Sequence, residues 1–473
     1  MRCKIFFIAL AVLLLASCKK LNETPFSFVE PGAFYNTPAQ VEAALTASMN
    51  KIWDFWYGYQ YPGLHNFKHD DQLLGGDLVI PNNFASDIWA NHYAALLDIN
   101  TAIAAMKKGS LGNTPQTEQD KVLGQALFLR AFNYFMLVRL YGGVPLLLEN
   151  DDPIANPPAR TSVEEVYKSI TDDLSKAAGL LPRTWPDSHK ALPTRGAALG
   201  LLAKAYLTMA TAPLNQTEYY AKAAEAAQKV IAEGDYRLIH DIDKVFTVDT
   251  RYGPEVMFTF SSNYQDITVE PFVWMPYQLD GWGDFYVQPQ WAEALPDIPR
   301  KHAYILLEID GVHYDDWVDG GVPSIKKYMY DKAEDIEAWR SLVVFPILRY
   351  ADVLLIFAEA ENMAKGGPTQ AAVDAVNQVI DRANDYQNLP QHPRASIAMS
   401  KQAFDDLVIE ERNQELCFEL GDRWFDLCRK RILDKKTIPR YLVNFSENDY
   451  LYPIPDNDRK LNPLLTQNPG YIE

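Results

Sequence analysis

Residues 197–231 read AALGLLAKAYLTMATAPLNQTEYYAKAAEAAQKVI, and the rest of the chain follows from how they are read. Ala198, Gly200, Ala203 and Tyr206 form a small/large pattern at helical spacing. After the break at Ala212-Pro213, Ala221, Ala224 and Ala227 recur in steps of three. Small residues at such positions let two antiparallel helices approach closely, so the stretch predicts a helical hairpin of about 34 residues.

Outward from this hairpin, helical periodicity recurs over 38–52, 86–108, 116–141, 162–181, 194–211, 217–233, 349–365, 368–384 and 402–419. Asn113-Thr114-Pro115 opens one helix and Tyr141-Gly142-Gly143 closes it, while Gly366-Gly367-Pro368 parts another pair. Ala126 to Leu140 is apolar on nearly all sides, which predicts a buried central helix. The fold class expected is mainly α: a tetratricopeptide-like scaffold of about four helix pairs with an irregular, loop-rich subdomain for the ligand.

The N-terminus is an address. Arg2 and Lys4 precede the apolar run Ile5–Leu15, and Ala16-Ser17-Cys18 follows. That run is shorter than the roughly 20 residues that span a bilayer, and it reads as a signal peptide over 1–17. Leu15-Ala16-Ser17-Cys18 has the form of a lipobox, which makes Cys18 the lipidated first residue; an ordinary signal peptide ending beside a cysteine is the alternative. Residues 18–37 are then a tether. The remaining divisions expected are a helical region over 38–254, an irregular insertion over 255–345 and a helical region over 346–473.

The 473 residues carry a formal charge of −18, or −20 once Arg2 and Lys4 leave with the signal. No basic face for a phosphate backbone is expected from such a balance, which excludes nucleic acid as a partner. The 22 Phe, 26 Tyr and 10 Trp exclude a disordered chain and are unevenly spread. Residues 53–67, inside an excursion over 53–85, hold seven aromatics, and residues 272–291 hold seven more. Long irregular excursions from a helical scaffold tend to carry function, and aromatic rings stack on the C–H faces of sugars. The candidate ligand residues are Trp56, Tyr59, Asp70 and Asp71 in the first excursion and Trp274, Trp282, Asp284 and Trp291 in the second window. The rings would stack and the carboxylates would meet hydroxyls.

Catalytic constellations are thin, and no enzyme is expected. Asp70-Asp71 are adjacent, whereas glycoside hydrolysis needs two carboxyls facing each other across a sugar. His65 and His69 lack a third metal ligand. No Gly-x-Ser-x-Gly, phosphate-binding Gly-rich loop or His-Glu-x-x-His occurs. No cofactor is expected, and a structural calcium has no support in the sequence. Cys417 and Cys428 read as core thiols, a disulfide between them being left open. Glu410, Glu411, Arg412, Glu415, Glu419, Asp422, Arg423, Asp426 and Arg429 repeat at three- and four-residue steps, the pattern of an ion-pair ladder along a docked helix.

Those last residues carry a resemblance. Ile409-Glu410-Glu411-Arg412, Glu415-Leu416-Cys417-Phe418-Glu419 and Arg423-Trp424-Phe425-Asp426-Leu427 resemble the C-terminal signature of the SusD/RagB family. Tyr452-Pro453-Ile454-Pro455, Asn462-Pro463 and Gln467-Asn468-Pro469-Gly470-Tyr471 resemble its closing motif. Phe128–Phe132 through Tyr141–Pro145 and Leu348–Val353 through Ala358–Ala360 are further matches. The resemblance implies a non-enzymatic lipoprotein, lipid-anchored at the outer membrane and facing the exterior. It would capture an oligosaccharide or polysaccharide and pass it to a SusC-like TonB-dependent transporter. By the same resemblance Trp89 lines the glycan site, and His92 stands where the family often has Asn. A peptide-binding or structural lid of such a transporter, and an all-helical glycoside hydrolase, are the rival readings.

Overall fold

The computed structural model describes residues 34–52, 72–74, 84–186, 190–260, 273–317, 321–329, 342–420, 422–433 and 447–471. The signal peptide, Cys18 and most of the 18–37 tether lie outside them.

Among the described residues six helices follow one another before the irregular insertion: α1 (Pro38–Ile52), α2 (Phe84–Lys107), α3 (Gln116–Tyr141), α4 (Val163–Leu180), α5 (Arg195–Ala210) and α6 (Tyr219–Glu233). Each packs on the next in the chain. The starts are set by hydroxyl caps: Ser162 accepts from the Glu165 amide at the head of α4, and Thr194 from the Ala197 amide at the head of α5, 3.0 Å away. In α3 the buried residues run almost without a gap from Val122 to Tyr141, as a helix covered on all sides requires. It ends at Gly142 (φ 74°), whose amide closes on the Val138 carbonyl. The next residue, Gly143, has no room for a side chain, because a Cβ there would meet the Thr161 carbonyl at 2.6 Å. The chain therefore turns back tightly into the Val144–Thr161 bridge.

The chain then leaves the stack, passing β2 (Val256–Thr259), β3 (Phe285–Val287), α7 (Pro289–Ala294), α8 (Pro299–Tyr304), β4 (Ile305–Leu306), β5 (Glu308–Ile309), β6 (Val312–His313), β7 (Ser324–Ile325) and β8 (Pro346–Arg349). It re-enters as α9 (Tyr350–Lys365), α10 (Gln370–Ala383), α11 (Lys401–Glu415) and α12 (Asp422–Arg429). Helix α9 packs on α6, so the fourth pair, α9–α10, continues the stack as though the insertion were absent. The neck is an antiparallel ribbon in which Val256 faces Arg349, with the Tyr350 amide on the Glu255 carbonyl at 2.9 Å. A last helix, α13 (Asp456–Leu461), precedes the C-terminal strap. There Asn468 Nδ2 donates to the carbonyls of Tyr141 and Tyr452, tying the strap to the end of α3.

Helix α11 stops four residues short of the expected 419. Phe418 (φ 63°) and Leu420 (φ 24°) take left-handed backbone conformations that end it. The freed carbonyls of Glu415 and Cys417 each accept from Lys327 Nζ at 2.9 Å. Cys417 and Cys428 are both free thiols, and the Cys417 thiol donates to the Gln414 carbonyl.

The acidic and basic residues of 410–429 do not form a ladder along one helix. Most of them are buried, and most of their partners come from other elements. Glu415, fully buried, accepts from Arg349 Nη1 (3.0 Å), Arg382 Nη2 (2.7 Å), Arg300 Nη1 (3.3 Å) and the Tyr304 hydroxyl (3.0 Å). Glu411 binds Arg300, and Glu419 binds both Arg349 and Lys327. Glu255, at the neck, receives Arg349 at 2.6 Å and Arg382 at 3.0 Å. Four cations thus meet four carboxylates, joining the neck, the insertion and the last helices. Burial alone would raise the Glu415 carboxyl, but Arg382, Arg349 and Arg300 hold it far below its ordinary value.

Candidate functional site

Strand β1 (Gln72–Leu74) comes from the first aromatic excursion, yet its partner is β3, in the second. Gln72 pairs with Val287, Leu73 with Tyr286 and Leu74 with Phe285, antiparallel. The sheet continues β1–β3–β7–β4. Residues 72–74 and 285–287, about 200 residues apart in sequence, are thereby joined at one sheet.

Beside β3 lies a tight loop over 273–284. The Asp284 amide donates to the Val273 carbonyl (3.1 Å), the Gly283 amide to Met275 (2.9 Å) and the Gly281 amide to Pro276 (3.1 Å). Asp280 (φ 58°) and Gly283 (φ 60°) supply the two left-handed turns. Gly281 admits no side chain, because a Cβ would collide with the Met275 backbone. This frame fixes the side chains at its tip: Tyr277 is 54% exposed, while Trp282 and Asp284 are half-buried. Burial pushes the Asp284 carboxyl up to about 6, so it changes charge just below neutrality.

The expected residues separate by packing. Trp274 is 1% exposed and lies among the rings of Phe285 (5.0 Å between centroids), Tyr328 (5.6 Å) and Phe345 (6.0 Å), with no face left for a ligand. Trp291 is buried edge-on against Phe418. Trp89 is also buried, set against Tyr93 and Tyr141, and its side chain hydrogen-bonds Asp458. His92 is fully buried, with Nδ1 2.7 Å from Asn133 Oδ1; burial pulls its pKa down to about 4, so the ring is neutral. For Trp89, His92, Trp274 and Trp291 the sequence expectation of a ligand contact gives way to a core position. The physical reason is shared: a large ring beside a long irregular segment is the material that fills the space beneath it. Trp282 and Asp284 stay half-exposed, Trp282 with part of its ring packed against the core. Trp56, Tyr59, Asp70 and Asp71 lie outside the described residues. Tyr277 was missed; only its place in the 272–291 window pointed to it.

Among the described residues no group of three or more His, Cys, Asp or Glu side chains is placed to hold a metal ion. Among the same residues no helix is long and apolar enough to cross a membrane.

Residues 37–207 match a family described as SusD-like, starch-binding and associating with the outer membrane, and residues 316–471 match the SusD family. SusD-like protein P2 of Formosa agariphila is 30% identical, covering 99% of both chains. A SusD-like protein of Bacteroides ovatus is 22% identical over 99% of this chain and 98% of its own. Among solved structures, a SusD homolog from Bacteroides thetaiotaomicron superposes with a TM-score of 0.81 at 23% identity, covering 93% of this chain and 98% of that one. Surface glycan-binding protein A from Bacteroides uniformis does so with a TM-score of 0.76 at 19% identity, covering 91% and 99%.

Proposed function

The chain belongs to the SusD/RagB family, and from that premise we propose that it is a surface glycan-binding lipoprotein without catalytic activity. It is anchored to the outer membrane through Cys18, captures an oligosaccharide and passes it to a SusC-like TonB-dependent transporter. The observation that carries the reading is the β1–β3 pairing, which brings residues 72–74 of the first excursion to the sheet of the second. Beside it a rigid loop presents Tyr277, Trp282 and Asp284. Two rings supply stacking faces, and an ionised Asp284 supplies two acceptors for sugar hydroxyls. The names of the structural relatives, surface glycan-binding proteins among them, agree with this reading.

Calorimetry of the mature chain against a panel of oligosaccharides tests it. One class is expected to bind, with Trp282→Ala weakening it at least about tenfold, as loss of a stacked ring worth about 1.4 kcal/mol or more requires. No cleavage product is expected. Binding unchanged in Trp282→Ala removes the site, and binding of peptides with none of glycans removes the ligand class.

A further inference from the structure

On the helical stack, away from the insertion in sequence, a cleft of about 230 Å³ opens between α3, α4, α5 and α12. Its walls are largely apolar, from Val163, Tyr167, Leu207, Pro213, Phe425 and Leu451. In a chain with 44 basic and 62 acidic residues, this lining holds six cations and two carboxylates. Four of the cations are matched. Lys204 bridges Asp352 and Asp422, Arg412 bridges Asp352 and Asp426, Arg429 bridges Glu359 and Asp426, and Arg431 reaches Glu447.

Arg139 and Arg160 are different, for neither has a carboxylate within ion-pair distance among the described residues. Arg160 is met by neutral acceptors alone: the carbonyls of Gly143, Tyr141 and Thr466 and the Asn468 side chain. The Arg139 guanidinium sits over two phenyl rings, 3.9 Å from the centroid of Phe135 and 3.6 Å from that of Phe425. Its Nε donates to the Phe135 carbonyl and its Nη2 contacts Met136 Sδ, and among the described residues Nη1 meets no acceptor. With both rings against the guanidinium, its remaining N–H edge is where a carboxylate fits. Burial pulls the Arg139 pKa down to about 10 against the more distant pull of Asp422, Asp352 and Asp426, and lowers that of Arg160, whereas Arg130, Arg300, Arg349, Arg382, Arg412 and Arg429 are all raised. A guanidinium does not escape such a cost by losing its proton at neutral pH, and an anion in the cleft relieves it.

We propose that this cleft binds a small organic carboxylate, one ring in size, with its carboxylate on the free edge of Arg139 and its ring body against Tyr167, Leu207 and Phe425. The volume is below the roughly 300–1,000 Å³ of drug-sized pockets, which limits the occupant to about one ring. The cleft is built from different residues than the Tyr277–Asp284 loop, so the inference stands without the glycan reading.

The test is ligand-observed NMR and calorimetry on the mature chain with sodium benzoate, sodium glucuronate and neutral glucose. A carboxylate probe is expected to bind at roughly millimolar affinity, as one ring and one ion pair allow, and glucose is not expected to occupy this cleft. Arg139→Met keeps an apolar stem against the rings and removes the charge. It is expected to weaken the carboxylate at least about tenfold while the melting temperature holds or rises, because an unpaired buried charge has gone. Trp282→Ala is expected to leave carboxylate binding intact, which separates failure here from failure of the glycan reading. Binding of neither carboxylate, or equal binding in Arg139→Met, overturns the proposal. So does a marked fall in the melting temperature of Arg139→Met, which would make Arg139 a structural group.

Discussion

Replacing Glu415 by glutamine keeps its shape and removes one charge from the centre of the buried network. In the native chain its carboxylate accepts from three guanidiniums and one hydroxyl, all of them buried. The amide has one acceptor oxygen, and its NH₂ would face guanidinium donors. Breaking a buried ion pair by removing one partner costs about 3–5 kcal/mol, and a carboxylate shared by three cations belongs at the upper end, near 5. Against a total stability of roughly 5–15 kcal/mol this is a large share. Unfolding entropy of about 2.1 cal/mol/K per residue over 473 residues amounts to roughly 1 kcal/mol/K, so the melting temperature should fall by about 5 °C. Circular dichroism of the mature chain measures it. Asp172→Asn, which removes a carboxylate from the exposed Lys168–Asp172 pair, is the control and should shift nothing detectable. A change in Glu415→Gln no larger than that control would refute the view that these charges are desolvated and mutually dependent.

Other outcomes follow from the same geometry. His92 is neutral in the fold with a pKa near 4 against 6.5 when unfolded. The unfolded chain therefore binds the extra proton between those values. Its contribution is complete above pH 6.5 and is lost as pH falls to 4, by about 3 kcal/mol, and His92→Gln should flatten the slope of stability against pH in that window. Glu359 is depressed to about 2: burial would raise it, but Arg429 and Lys430 outweigh burial. Its stabilisation is present above pH 4.5 and drains away as pH falls toward 2, so Glu359→Gln should be less stable than the native chain at pH 7 and lose that deficit in acid. Gly281→Ala should disturb the loop that mounts Trp282 and weaken glycan binding about tenfold or more in calorimetry, with the helical signal in circular dichroism unchanged. Asp284, raised to about 6, should accept sugar hydroxyls less well below that pH, so glycan affinity measured from pH 8 to pH 5 should fall through 6.

Most of the helical scaffold was legible because its signals are local. Periodicity placed α3 at 116–141, where it is, and the other long helices within two residues of their ends, α11 excepted. The end of α11 was hidden because Phe418 and Leu420, not glycines, take the left-handed turns. The ionic network was hidden for a different reason. Glu415 and Glu419 look like one exposed face when read at helical spacing, while Arg349 and Arg300 lie 66 and 115 residues away in the chain. In the candidate site, the aromatic density was readable and the direction of each ring was not. Trp274 turns inward and Tyr277 outward only three residues apart, which depends on Phe285, Tyr328 and Phe345 arriving from elsewhere. The three-residue strand β1 is too short to carry a periodic signal, so its pairing with β3 became visible only in three dimensions.

The neck has a consequence for how such a molecule diversifies. Because β2 and β8 run side by side and α9 resumes against α6, the chain leaves and re-enters the scaffold at one doorway, fastened by Glu255, Arg349 and Arg382, and the insertion is pinned again where Arg300 and Lys327 reach Glu411, Glu415 and Glu419. A cassette of different length or ring content can be seated between residues 256 and 349 with the frame undisturbed, provided it keeps the strand pairings, those three charges and the cations at 300 and 327. Specificity and architecture are then separable parts, and exchanging the one between two scaffolds becomes a practical route to a receptor for a different ligand.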